Sequence, residues 1–171
     1  MNKKIVYLLS LLLILMLTIN GMKYIFIEDI KQVAISNNVE GFNDYLLSLG
    51  KYKLTLPIGW NLKENPSDVE DINVLFGDGS NINGKIIIVN GELEDYVEKY
   101  KDLSSEIVTL KGYNYDWKIA SKKEARNITK YYLTQYSEGK VLIVEYYYIK
   151  GSIKNSMKIV FDKISDSFKW I

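Results

Sequence analysis

Neither cysteine nor histidine occurs in the chain. Without thiols there can be no disulfide, thiolate metal site, cysteine nucleophile or lipid-carrying N-terminal cysteine. Without imidazole there can be no Ser-His-Asp triad, zinc-peptidase helix or histidine general base. Basic excess is missing too, with 22 basic residues against 21 acidic. Lys3, Lys4 and Lys23 all precede the first acidic residue, Glu28, so the remainder is slightly acidic. Affinity for nucleic acid comes mainly from neutralising phosphates, so no nucleic-acid partner is expected. Fixed-period repeats and low-complexity tracts are absent, and no residue pattern points to a cofactor. Lysine, isoleucine, asparagine and tyrosine are heavily used, as in proteins encoded by AT-rich genomes, which fits a bacterial source.

What the chain does have is an apolar start. Lys3 and Lys4 precede a run from Ile5 to Ile19 interrupted only by Tyr7, Ser10 and Thr18, and continuing to Met22. Crossing a hydrocarbon layer of about 30 Å takes about 20 helical residues. Residues 5–22 are therefore expected to enter a membrane, with the lysines holding the N-terminus inside and the rest outside. The alternative is a secretory signal cleaved after Gly21, although Thr18-Ile-Asn-Gly21 is a poor cleavage site. Residues 1–25 thus read as a signal anchor or signal peptide, and the domain is exported either way.

Residues 26–50 carry apolar side chains at Ile27, Ile30, Val33 and Ala34, then at Phe42, Tyr45, Leu46 and Leu49, spaced by three and four. That spacing predicts a helical stalk or a packed N-terminal helix, broken near Asn37-Asn38 and Gly41. From Lys51 the period becomes two: Tyr52, Leu54 and Leu56 alternate with polar residues until Pro57, which lacks an N–H to donate. Ile72, Val74 and Phe76 alternate likewise. Lys85-Ile-Ile-Ile-Val89 is an unbroken β-branched run, predicting a central strand covered on both faces. Leu93, Tyr96, Val97 and Tyr100 stripe one side of a helix between Gly91 and Leu103. Further strands are predicted over 107–110, 113–120, 128–136 and 141–149, the last two joined through Gly139. Met157, Val160, Phe161, Ile164, Phe168 and Ile171 mark a closing helix with Ser156 as N-cap.

The strand ending in Leu56-Pro57-Ile58-Gly59-Trp60, and the terminal Ile164-Ser-Asp-Ser-Phe168, resemble the opening and closing motifs of the PsbP-like family. These are relatives of an extrinsic photosystem II subunit that share a fold with a Ran-binding nuclear import factor. The resemblance covers residues 51–171. It implies an α+β domain, an antiparallel β-sheet sandwiched between helices, with a binding or assembly role rather than catalysis. Family metal ligands do not carry over, since no histidine is available to match.

The loop Gly77-Asp-Gly-Ser-Asn-Ile-Asn-Gly84 suggests calcium, but counting from Asp78 puts Ile82 and Val89 where a ligand and a bidentate glutamate belong. It reads as a hairpin loop. Glu64, Asp68, Glu70 and Asp71 form an acidic stretch read as a solvated loop. Asn127-Ile-Thr129 fits a glycosylation acceptor that would be idle in a bacterium. The distinctive excess is tyrosine, 14 in all. Tyr113, Tyr115, Trp117, Tyr131, Tyr132, Tyr136, Tyr146, Tyr147 and Tyr148 lie on strands, where neighbours face opposite ways. They read either as cross-strand packing or as a partner surface. The expectation is a non-catalytic envelope module, membrane-anchored and contacting another envelope protein. A carboxylate-based glycan hydrolase and a small-ligand or lipid carrier are the alternatives.

Overall fold

The computed structural model describes residues 3–66, 71–104 and 106–171. Asp68 and Glu70 of the acidic stretch lie outside these. The chain begins as a single helix, α1 (Lys3–Ser36), with no break at Gly21. Its apolar part is long enough to cross a membrane and none of that window is buried against the domain. Its last turns differ: Ile35 joins the main core, and Asn38 just beyond donates to Ser156 Oγ at 2.8 Å.

After α1 the helical reading fails. Phe42–Leu47 is a strand, β1, paired antiparallel with β2 (Tyr52–Pro57). The spacing of Phe42, Tyr45 and Leu46 imitated a helix, but the alternating Tyr52, Leu54 and Leu56 of β2, all buried, needed a partner edge. Ladder hydrogen bonding outweighed the weak local preference. The turn between them holds Ser48, Leu49 and Gly50 at φ 49°, 56° and 87°.

β3 (Asn61–Glu64), β4 (Ile72–Gly77) and β5 (Ile82–Asn90) follow as a meander, then α2 (Leu93–Lys101). β6 (Ile107–Lys111), β7 (Asp116–Glu124), β8 (Asn127–Ser137) and β9 (Lys140–Ile149) lead to α3 (Met157–Ser167) and β10 (Lys169–Trp170). A seven-stranded antiparallel sheet has the order β3-β4-β5-β9-β8-β7-β6, and a three-stranded sheet the order β1-β2-β10. The β8–β9 hairpin closes on Glu138-Gly139, with Gly139 at φ 66°.

β5 is covered on both faces, as its composition predicts. Ile82, Ile86 and Ile88 join the main core, while Ile87 and Val89 pack with Leu133, Val141 and Ile143 beneath Leu93, Tyr96, Val97 and Tyr100 of α2. The main core is closed by Val160, Phe161 and Ile164 of α3 and by Phe168 after it, all fully buried. Each such large apolar side chain contributes about 1.5–3 kcal/mol. The small sheet shares that layer through Leu47, Tyr52, Leu54 and Leu56, so the helix layer on this face is part helix and part sheet. Phe168 lies just beyond α3, and Ile171 beyond β10.

Two local expectations change, and the hairpin reading of the 77–84 loop holds. Strand β7 starts at Asp116 rather than Tyr113, because Gly112–Tyr115 forms a turn held by Asp166. Ser156 makes no side-chain cap; its hydroxyl accepts from Asn38 instead. Asp78 Oδ1 accepts the backbone N–H of Ser80, Asn81 and Ile82 at 2.8–2.9 Å. That carboxylate organises its hairpin, and these bonds hold its pKa below the ordinary value against the opposing effect of burial.

Candidate functional site

The closing segment shows how one end of the domain is built. Ile164 is buried in the core, and Ser165 Oγ lies 2.9 Å from Tyr146 Oη. The Asp166 carboxylate accepts the N–H groups of Tyr113, Asn114 and Tyr115 and the indole N–H of Trp117. Ser167 Oγ accepts Thr55 N–H at 3.0 Å, and Phe168 stacks on Tyr52 at 5.3 Å. The motif thus reaches β9, the 112–115 turn and β2, and draws the β1–β2 hairpin, that turn and β10 to the same end.

An aromatic notch of about 520 Å³ opens there, lined by Tyr52, Asp71, Tyr115, Tyr136, Lys140 and Trp170. Its rings form a continuous series. Trp170 meets Tyr52 edge-on at 5.1 Å, Tyr136 lies 6.1 Å from Phe168, and Tyr115 lies 6.3 Å from Tyr136. Offset and edge-on contacts of this kind suit the ring quadrupole. Burial pushes the phenol pKa values of Tyr52, Tyr115 and Tyr136 upward, so their hydroxyls stay protonated. Asp71 and Lys140 form an ion pair at the mouth. The notch therefore offers apolar ring faces, neutral hydroxyls and one charge of each sign, the makings of a side-chain or small-group recognition pocket.

A second cavity, about 510 Å³, lies between α1 and α3, where Glu28, Lys31 and Ile35 face Asp162 and Asp166. Burial raises the Asp162 pKa, opposed first by the hydrogen bond from Tyr132 Oη at 2.7 Å and then by Lys158, Lys130 and Lys31. One helical turn further on, Asp166 is occupied by the 113–117 donors. Three carboxylates thus line this cleft: Glu28 pairs with Lys31 at 2.8 Å, Asp166 is taken up by the turn, and Asp162 is held by Tyr132, whereas glycoside hydrolysis needs two that act as a pair.

The tyrosine-rich set divides. Trp117, Tyr132, Tyr146 and Tyr148 are buried in the core, so they offer no surface to a partner. Packing claims them: Tyr146 stacks on Phe161 at 4.2 Å, and Trp117 meets Tyr132 edge-on at 6.0 Å. Tyr147 faces the other way and is exposed, as strand alternation requires. Tyr113 is exposed on its turn, and Tyr131 packs on Tyr100 at 4.4 Å under α2. Only Tyr115 and Tyr136 of the set line the notch. Tyr52, Asp71, Lys140 and Trp170 complete it, and nothing in their local sequence signals that they meet.

No family model and no curated protein matches the chain. Solved structures do. The cyanobacterial PsbP of Synechocystis aligns over 78% of this chain and 95% of its own, at 15% identity and a TM-score of 0.54. Mog1p, a Ran-binding protein of Saccharomyces cerevisiae, aligns over 75% and 95%, at 6% identity and 0.55. This chain has the fold shared by PsbP and Mog1p. A Bacteroides thetaiotaomicron protein also aligns over 75% of this chain but only 48% of itself, at 13% identity and 0.51. In the PsbP-like fold seen here, both sequence motifs mark structural joints: Trp60 stacks on Phe76 at 6.2 Å, and the Ile164–Phe168 segment makes the clamp described above.

Proposed function

We propose that the protein is a non-catalytic binding or assembly module of the cell envelope, held at the outer membrane face by α1, with the aromatic notch as its partner surface. The observation that carries this reading is the continuity of α1. An apolar segment unburied by the domain runs without a hinge into a last turn that packs in the domain core. Lys3 and Lys4 favour an inside N-terminus, which leaves the domain outside. Cleavage after Gly21 would instead release the same domain with a shortened helix.

Mog1p is named as a Ran-binding protein, so recognition of another protein has a precedent on this fold. Aromatic residues with a wet end are enriched at such contacts, which supports the notch as the surface used. The hydrolase alternative finds little support in the cleft, where Glu28 pairs with Lys31, Asp166 holds the 113–117 donors and Asp162 accepts from Tyr132. The carrier alternative lacks room, since the space between α3 and the sheet is filled by Phe161, Ile164 and Phe168. In membranes, the domain is expected to resist alkaline extraction and to be digested by protease added from outside. A photo-crosslinking residue at position 136 should give a discrete protein adduct that Tyr115→Ala weakens. A chain washed from membranes by alkali, or glycan cleavage lost in Asp162→Asn, would refute the reading.

A further inference from the structure

The β1–β2 hairpin tip and the C-terminal residues lie at the end of the domain from which α1 leaves toward its apolar segment. Glu28 to Ile35 of α1 and Ile159 to Asp166 of α3 line one cleft, while Asn38 bonds Ser156 and Lys154 Nζ bonds the Asn37 carbonyl. The two helices therefore lie side by side in opposite directions, and the segment before Glu28 continues past the C-terminal end of α3. At that end Ser167 bonds Thr55, and Thr55 pairs with Asp44. From Asp44 the strand runs three residues further to Leu47, roughly 10 Å at 3.3 Å per residue. On α1, the level of Ser167 falls near Ile27, and stepping back to Met22 covers about 7–8 Å at 1.5 Å per residue. The two lengths match, so the hairpin tip is within reach of the level at which the apolar run of α1 begins.

Its chemistry fits that place. Leu49 is 105% exposed at φ 56°, turned outward by a tip that Glu64 fixes through Ser48 N–H at 2.9 Å. Beside it, Trp170 pairs with Tyr52 and Ile171 N–H bonds the Lys51 carbonyl, and both side chains are about 60% exposed. Lys51 and Lys169 flank them. Tryptophan favours the headgroup level, and lysine the anionic lipid surface.

We propose that Leu49, Trp170 and Ile171 form a lip that rests in the headgroup layer of the bilayer crossed by α1, so that the domain sits on the membrane. The inference depends on α1 spanning, and the test separates the two claims. Because the chain lacks cysteine, single cysteines can be placed and labelled cleanly at Leu12, Leu49 and Ser80 in the full chain reconstituted in phosphatidylcholine–phosphatidylglycerol vesicles. A fluorophore at position 12 or 49 should be quenched by nitroxide lipids and protected from iodide, whereas one at position 80, in the β4–β5 loop, should be quenched by iodide alone. Intrinsic fluorescence should show shallow brominated lipid quenching that Trp170→Phe removes, since Trp60 and Trp117 are buried. Lipid quenching at 12 with full iodide access at 49 overturns the lip and leaves the anchor standing. Iodide access at both positions overturns both.

Discussion

Replacing Asp166 with alanine tests whether one side chain holds the notch-bearing end together. The indole N–H of fully buried Trp117 and the partly buried N–H of Tyr115 lose their acceptor at 3.2 Å. A buried donor left unmatched costs about 1–3 kcal/mol, whereas the exposed amides of Tyr113 and Asn114 rehydrate at little cost. Two such donors sum to roughly 2–6 kcal/mol, a large share of the about 5–15 kcal/mol that stabilises a typical domain. In urea, with a slope of about 1–3 kcal/mol per molar, the midpoint should fall by about 2 M. Full-length protein in detergent, followed by tryptophan fluorescence, reports this directly because Trp117 is itself a lost partner.

A second variant makes the assignment specific. A Cβ at Gly112 would meet Asp166 Oδ1 at 2.2 Å and the Tyr115 carbonyl at 2.7 Å. Gly112→Ala should therefore destabilise alone, and the double variant should be less damaging than the sum, since Asp166→Ala removes the first of the two clashes. An Asp166→Ala midpoint equal to wild type, or strict additivity, would refute the clamp.

Removing the Tyr146 hydroxyl, which donates to the Phe161 carbonyl at 3.0 Å and lies beside Ser165, should lower stability by about 1–2 kcal/mol in the same assay. Leu49→Asn should leave folding stability unchanged or raised, since asparagine tolerates the left-handed backbone better, while lowering nitroxide-lipid quenching of Trp170. Asp162 has a folded pKa above its unfolded one, so the folded state binds more protons in the window between them and stability falls as pH rises through it. Asp162→Asn keeps an acceptor for Tyr132 and should melt higher than wild type at neutral pH, with the gap closing as pH drops below the ordinary aspartate value. Equal melting temperatures at neutral pH would count against a desolvated carboxylate there.

The strands were readable where burial followed a simple period. The β5 run, the alternation through Tyr146, Tyr147 and Tyr148, and the α2 stripe each record which faces meet a neighbour, and a local pattern suffices to encode that. Phe42–Leu47 misled because four apolar residues in a short window fit a helical period, and the partner that makes them a strand sits beyond the turn. The start of β7 was misplaced for a related reason: the acceptor that bends Gly112–Tyr115 out of the ladder is Asp166, about fifty residues later. The notch was illegible altogether. Its walls come from β2, the segment before β4, the β7 entry, the β8–β9 turn and β10, and proximity among them exists only after the sheet has formed.

The same reasoning explains why two short motifs identified a fold without identifying a task. Every residue from Ile164 to Phe168 is committed to a joint, and Pro57 and Trp60 likewise end a strand and cover Phe76. Residues so engaged are constrained by folding and have little freedom to specify a ligand. Specificity has to come from positions the joints leave free at the same end: Leu49, Tyr136, Lys140, Trp170 and Ile171. With the lip seated as proposed, those positions sit where the domain meets the bilayer, and any partner of the notch approaches along the membrane plane. Crosslinks from position 136 should therefore fall on membrane-spanning or juxtamembrane segments of that partner, and adducts confined to its domains remote from the membrane would contradict the orientation.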